Sequence, residues 1–129
     1  MRNIKFRAYN KHMNKMFYDV QHCFMIGHEL QLLGNMLESD EWEVMQYTGM
    51  KDSKGREIYE GDYVRCNRNI GGNIDGLIYT IVWDEQTLTH IGTNHFSEIT
   101  YESAEYMELM GNIYETELID CMEKNNNEM

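Results

Sequence analysis

Apolar and polar positions alternate through most of the chain. Ile4, Phe6 and Ala8 fall on one side of the first segment, and Lys5, Arg7 and Tyr9 on the other. That is the period of a half-buried strand. Asn10 to Asn14 is polar and turn-like, and residues 15–20 return with Met16, Tyr18 and Val20 on one face. The start therefore predicts a β-hairpin. Residues 22–41 read differently. Leu30, Leu33 and Leu37, with Met36 beside them, stand at helical spacing and predict a short helix near 28–38. Gly34 interrupts it at a cost of about 1 kcal/mol. Glu38-Ser39-Asp40-Glu41 reads as a loop.

The middle of the chain is strand-rich. Met45 and Tyr47 share a face opposite Val44, Asp52-Ser53-Lys54-Gly55 is a turn, and Arg56 to Tyr59 returns as a strand. Glu60-Gly61-Asp62 is a second sharp turn before a strand from Tyr63 to Cys66. Asn69 to Gly76 has the composition of a mobile hairpin tip. Leu77 to Trp83 is β-branched and aromatic, as in a central strand, and Thr87 to Thr93 returns after Asp84-Glu85-Gln86. A short strand at Glu98–Tyr101, a helical turn at Ser103–Met107 and a strand over Leu109–Tyr114 follow, the last broken at Gly111, which suits a bulge or a close backbone approach. Thr116 caps a short helix carrying Leu118, Ile119 and Met122. Many short strands with closely spaced turns predict a mainly β fold. The N-terminal hairpin region, 1–41, packs on a small β-barrel or sandwich over 42–123, with one or two short helices and a disordered tail over 124–129.

Composition narrows the class. The 129 residues suit one compact domain, or one domain with a small appendage, but not two full-sized domains, and the absence of proline argues against a proline-rich linker. No apolar run approaches the length of a membrane span, and the first residues lack the apolar core of a signal peptide. The net charge is −11, unevenly placed. Residues 1–65 hold nine basic and ten acidic side chains, and residues 66–129 hold two and twelve. The first 18 residues hold five cations and no acid. Cys23, Cys66 and Cys121 are odd in number and far apart, which favours a reducing compartment over a disulfide framework.

Candidate chemistry is sparse. His22, Cys23 and His28 lie near one another, but no second ligand pair completes a zinc set. The plainer reading is a buried cysteine with histidines at the surface. Cys66 with His90 or His95 would need to meet in space for thiol catalysis, and nothing in their spacing requires it. Asp84-Glu85 reads as a solvated acidic turn rather than a catalytic pair. Residues 71–76 lack the Lys-Ser/Thr of a phosphate loop. The expectation is no enzyme, no metal and no cofactor. The one surface pattern with chemical content is Lys5, Arg7, Tyr9, Lys11 and Lys15. Interleaved cations and an aromatic can hold a phosphate backbone and stack a base. The competing reading is a solvated face paired with the acidic second half.

Ile4-Lys5-Phe6-Arg7-Ala8-Tyr9 and the long block from Met45 to Val64, Met-Gln-Tyr-Thr-Gly-Met-Lys-Asp-Ser-Lys-Gly-Arg-Glu-Ile-Tyr-Glu-Gly-Asp-Tyr-Val, resemble the YopX-like family of phage and prophage proteins. Met110-Gly111-Asn112-Ile113-Tyr114-Glu115 is similar to the family's closing strand, and Val82-Trp83-Asp84 falls where it has a strand and acidic turn. Thr116-Glu117 stands where the family often has Asn-Pro, and residues 22–41 match no part of it. The resemblance implies a β-rich protein with an SH3-like barrel, a mobile-element origin and a bacterial cytoplasm. It supplies no activity and no catalytic residues. The motif positions Gly49, Asp52, Gly55, Tyr59, Gly61, Asp62, Gly111 and Asn112 read as structural, at turns and in the barrel. The functional expectation is a non-catalytic interaction module binding a host or phage protein. The alternative is a nucleic-acid-associated protein using the basic hairpin. Self-association through an exposed sheet edge is a further expectation.

Overall fold

The computed structural model describes residues 4–66, 77–93, 98–100 and 107–117, the strand at 98–100 by its backbone. The chain divides into two compact units, Met1–Tyr47 and Thr48–Met129. The expected barrel start at residue 42 differs from this division. Strand β5 (Trp42–Lys51) is long, and its first half pairs with the N-terminal strand β1 (Phe6–Asn10), so that half belongs to the first unit.

In the first unit β1 is central, antiparallel to β2 (Lys15–Tyr18) on one side and to β5 on the other. Ala8 faces Phe17 and Val44 across the two ladders, which sets all three on one face of the sheet. The core there comprises Ala8, Val20, Met36 and Trp42, with Phe6, Phe17, Phe24, Ile26, Leu33 and Val44 packed against it. Phe17 and Phe24 stack at 5.4 Å, and Trp42 meets both rings edge-on at 5.4 and 6.5 Å. Such geometries add to simple area burial.

The expected helix over 28–38 is corrected. Residues 24–31 form a separate two-stranded hairpin, β3 (Phe24–Ile26) and β4 (Glu29–Gln31), and only α1 (Leu33–Glu38) is helical. Gly27, at φ +59°, opens the two-residue turn, a place where glycine is favoured in tight hairpins. The three leucines therefore do not share a helix face. Leu30 sits on a strand, Leu33 and Met36 turn to the core, and Leu37 is exposed.

In the second unit β6 (Glu57–Tyr59) neighbours the end of β5. A five-stranded antiparallel sheet follows, in the order β10 (Glu98–Thr100), β9 (Thr89–Thr93), β8 (Ile78–Asp84), β7 (Asp62–Cys66) and β11 (Met107–Asn112). Its core is Ile58, Val64, Cys66, Tyr79, Ile81 and Met107, with Met50, Leu77 and Leu109 alongside. The fold is mainly β with one short helix among the described residues, in keeping with the small barrel-like fold expected from the alternation. Met107 opens a strand rather than closing a helical turn. The expected hairpin tip at 69–76, the helix after Thr116 and the tail at 124–129 lie outside the described residues.

The register of β11 against β7 shifts between Leu109 and Gly111, so the expected interruption is a bulge. Gly111 has φ +151°, and a Cβ there would stand 2.7 Å from the Thr116 Cβ. Gly111→Ala should therefore lower stability by about 1–3 kcal/mol, read as the urea midpoint. Adding Thr116→Gly removes the clash and should recover part of the loss. A Gly111→Ala protein as stable as the parent would refute this account of the bulge.

Candidate interaction surface

Two buried carboxylates, Asp52 and Asp62, organise the turns of the middle block. Asp52 is 5% exposed. Its Oδ1 accepts the backbone N–H groups of Lys54 (3.0 Å) and Arg56 (2.8 Å), and its Oδ2 accepts the Leu109 N–H (2.9 Å) and the Arg56 Nε–H (3.0 Å). Gly55 closes the same turn by donating its N–H to the Asp52 carbonyl at 3.0 Å. Asp62 is buried and accepts the Tyr59 N–H at 2.7 Å across the next turn. Between them Gly61 donates to the Ile81 carbonyl and accepts from the Ile113 N–H. Asn112 ends β11 by accepting the N–H groups of Tyr114 and Glu115, both at 2.9 Å. Gly49 lies in the exposed part of β5. Glu108 on β11 binds Lys54 at 2.6 Å and also Arg65.

The five residues of the basic pattern do not share an exposed face. Arg7 is 3% exposed and Tyr9 9% exposed. The alternation assigned them to solvent because it assumed a sheet buried on one side. Here Met16, Met45 and Tyr47, on the same side as Arg7 and Tyr9, are buried as well, so both faces of β1 are covered. Lys11 pairs with Glu43 at 2.7 Å, the Lys5 ammonium lies 5.5 Å from the Tyr47 ring, and that of Lys15 lies 5.0 Å from the Phe17 ring.

The remaining candidates separate in the same way. Cys66 is buried in the second core, whereas Cys23 is exposed, contrary to the expectation of a buried side chain. Cys23 precedes β3 outside the packed alternation, so no neighbouring strand covers it. His22 and His28 are exposed. Cys121 and His95 lie outside the described residues. Asp84 receives the Thr87 hydroxyl at 2.7 Å and the Gln86 N–H at 3.2 Å, a turn role that holds its carboxyl below the usual value. His90, 6% exposed, meets the Glu60 carboxylate at 2.9 Å and the Trp83 ring edge-on at 5.0 Å. No spacing in the sequence pairs those three. Cross-strand register sets Trp83 opposite His90, and Glu60 reaches His90 from the turn after β6.

The surface that stands out lies in the segment the helix expectation obscured. Met25 and Leu30 face each other across β3 and β4 and are 56% and 54% exposed, while Phe24 and Ile26 on the opposite side pack into the core. Leu32 and Leu37, which follow in the chain, are also exposed. The hairpin pairs with no other strand among the described residues. Grouped exposure of large apolar side chains marks interaction sites more often than scattered single residues do. The signal available in the sequence was Gly27-His28 between the apolar run Phe24-Met25-Ile26 and the alternating Glu29-Leu30-Gln31.

These features define a mainly β protein of two units, built on buried turn carboxylates and presenting an apolar hairpin face. The YopX protein family matches residues 5–120, and the chain belongs to that family. It is also similar in fold to the crystal structure of protein EF1440 from Enterococcus faecalis. That likeness has a TM-score of 0.57 and 18% identity over 89% of this chain and 96% of that one. No curated protein matches it. No helix among the described residues is long and apolar enough to cross a membrane.

The Asp52 site carries a pH prediction. Burial raises its pKa, but the hydrogen bonds from Leu109, Arg56 and Lys54 outweigh that and hold the carboxyl below its ordinary value. A carboxyl depressed in the folded state stabilises fully above its unfolded pKa of about 3.9. That contribution is lost as pH falls through the lower folded value. Asp52→Asn should cost about 1.5–3 kcal/mol at pH 7, the range for hydrogen bonds to a charged group. It should also flatten the loss of stability below about pH 4. Urea midpoints of both proteins across pH 2–7 would show the curves converging in acid, and parallel curves would contradict this role.

Proposed function

We propose that this protein is a non-catalytic interaction module of phage or prophage origin. It acts in the cytoplasm of a bacterial host and binds a host or phage protein through the outer face of the β3–β4 hairpin. The observation that carries this reading is the cross-strand pair Met25 and Leu30, exposed together on a hairpin whose other side is anchored in the core. Apolar side chains of this size lose stabilisation by remaining in water, roughly 1.5–3 kcal/mol each relative to full burial. A partner that covers them recovers it. Family membership supports the mobile-element origin. Burial of Arg7 and Tyr9 favours this reading over the nucleic-acid alternative, which uses both side chains at the surface.

Site-specific photo-crosslinking tests the reading. A photoreactive residue at position 25 or 30, in cells that carry the parent element, should give a discrete heterologous protein adduct. The same residue at Glu85, exposed on the second unit, should not. No adduct from either hairpin position, or equal labelling from position 85, would overturn the proposal. An adduct of twice the chain mass would assign the face to self-association instead.

A further inference from the structure

We infer that the segment received by the β3–β4 face is a basic amphipathic peptide, with apolar anchors flanked by lysine or arginine. This rests on the interaction reading above and specifies its partner. The hairpin and α1 lie in a stretch of unusual charge. From residue 16 to residue 50 there is no lysine or arginine, while Asp19, Glu29, Glu38, Asp40, Glu41 and Glu43 are all acidic. Five of the six are exposed, and the sixth, Glu43, pairs with Lys11. Glu29 precedes Leu30 on β4 and stands opposite Ile26, so its carboxylate leaves the other side of the hairpin one residue from the apolar pair, and Glu38 ends the helix that carries Leu37. The exposed apolar side chains Met25, Leu30, Leu32 and Leu37 thus lie in a stretch whose own charges are all negative, and of the cations outside it Lys11 is taken up by Glu43 and Lys15 lies against the Phe17 ring.

That arrangement discriminates among partners. Carboxylates so placed repel nucleic acid and anionic lipid, and within a Debye length of about 8 Å they attract lysine and arginine. The apolar pair then supplies contact area, and methionine adapts to more than one side-chain shape. A peptide with leucine-like anchors between basic residues satisfies both features at once, as in other grooves that receive amphipathic segments. The net charge of −11 cannot by itself make this choice, because it would draw any cation to any part of the molecule.

The test uses the full chain and a synthetic fluorescent 14-residue peptide of leucine and lysine at helical spacing. A scrambled peptide of the same composition with no apolar face is the control. Anisotropy titration should show saturable one-to-one binding of the patterned peptide and weaker binding of the scramble. Met25→Thr with Leu30→Thr should weaken binding about tenfold, as loss of a central apolar anchor does. Glu29→Lys with Glu38→Lys should weaken it comparably. Glu85→Lys with Glu117→Lys, the same change of charge on exposed positions of the second unit, should leave affinity within about twofold, since separate surface charges are screened. Urea midpoints confirm that each variant is folded. Equal binding of the scramble, or equal weakening by the second-unit pair, would reduce the effect to general electrostatics and overturn the inference. Failure of the peptide together with a heterologous crosslink at position 25 overturns this partner chemistry alone. Failure of both overturns the interaction reading as well.

Discussion

Four hydrogen bonds converge on the Asp52 carboxylate, from the turn that follows it and from Leu109 on β11, far along the chain. Much of the second unit depends on that convergence. A carboxylate removed from water loses its hydration, and it stays charged only where donors replace it. Here three backbone N–H groups and a guanidinium do so. The same bonds tie the end of β5, the turn into β6 and the closing strand β11 to one atom group. Ser53 adds a backbone bond to the Met107 carbonyl, and Arg56 reaches the Leu109 carbonyl. Glu108 then holds Lys54 and Arg65 beside it, which keeps its own carboxyl low in pKa against the cost of burial. A run of sequence that looks like a surface turn, Asp-Ser-Lys-Gly-Arg, is therefore the place where distant parts of this unit are joined.

This explains why the family motif was legible and its reason was not. Alternation and turn chemistry locate β6 through β9 to within two residues, because each strand ends at, or within two residues of, Gly, Asp or Asn and carries branched or aromatic residues. What they cannot show is which turn carboxylate points inward. Asp52 and Asp84 occupy similar turns after similar strands. Asp52 is buried against β11, whereas Asp84 bonds only its own turn. The difference lies in a contact between residues more than fifty positions apart, for which local pattern has no signal. The pairing of His90 with Glu60 is hidden for the same reason.

Two local readings failed for opposite reasons. Along β1, period two was real but did not sort core from solvent, because Arg7 and Tyr9 are as covered as Ala8. Alternation carries a burial prediction only when one face of a sheet meets water. Along residues 24–37 the leucine spacing suggested a helix, and a glycine-led turn won instead. Leucine at positions 30, 33 and 37 matches a helical template by count, yet β4 ends at Gln31 and the first two leucines fall in different elements. Short apolar runs are ambiguous between strand and helix, and the turn residue decides.

The hairpin that results is unusual in its own energetics. Two strands alone are marginal in water, so β3 and β4 persist because Phe24 and Ile26 are packed beneath them. That anchoring would be served as well by polar residues at positions 25 and 30, since neither side chain contributes to the core. Threonine there would suit a strand and expose less apolar surface. Their presence as Met25 and Leu30 has no explanation within the folded chain, and it is the positions that folding leaves unconstrained that carry information about binding. The acidic residues around them sharpen the point. In the second unit carboxylates at Asp52, Asp62 and Glu108 are spent on holding the fold. In the stretch that holds the hairpin and α1, Asp19, Glu29, Glu38, Asp40 and Glu41 stand exposed, free of any such role in the core.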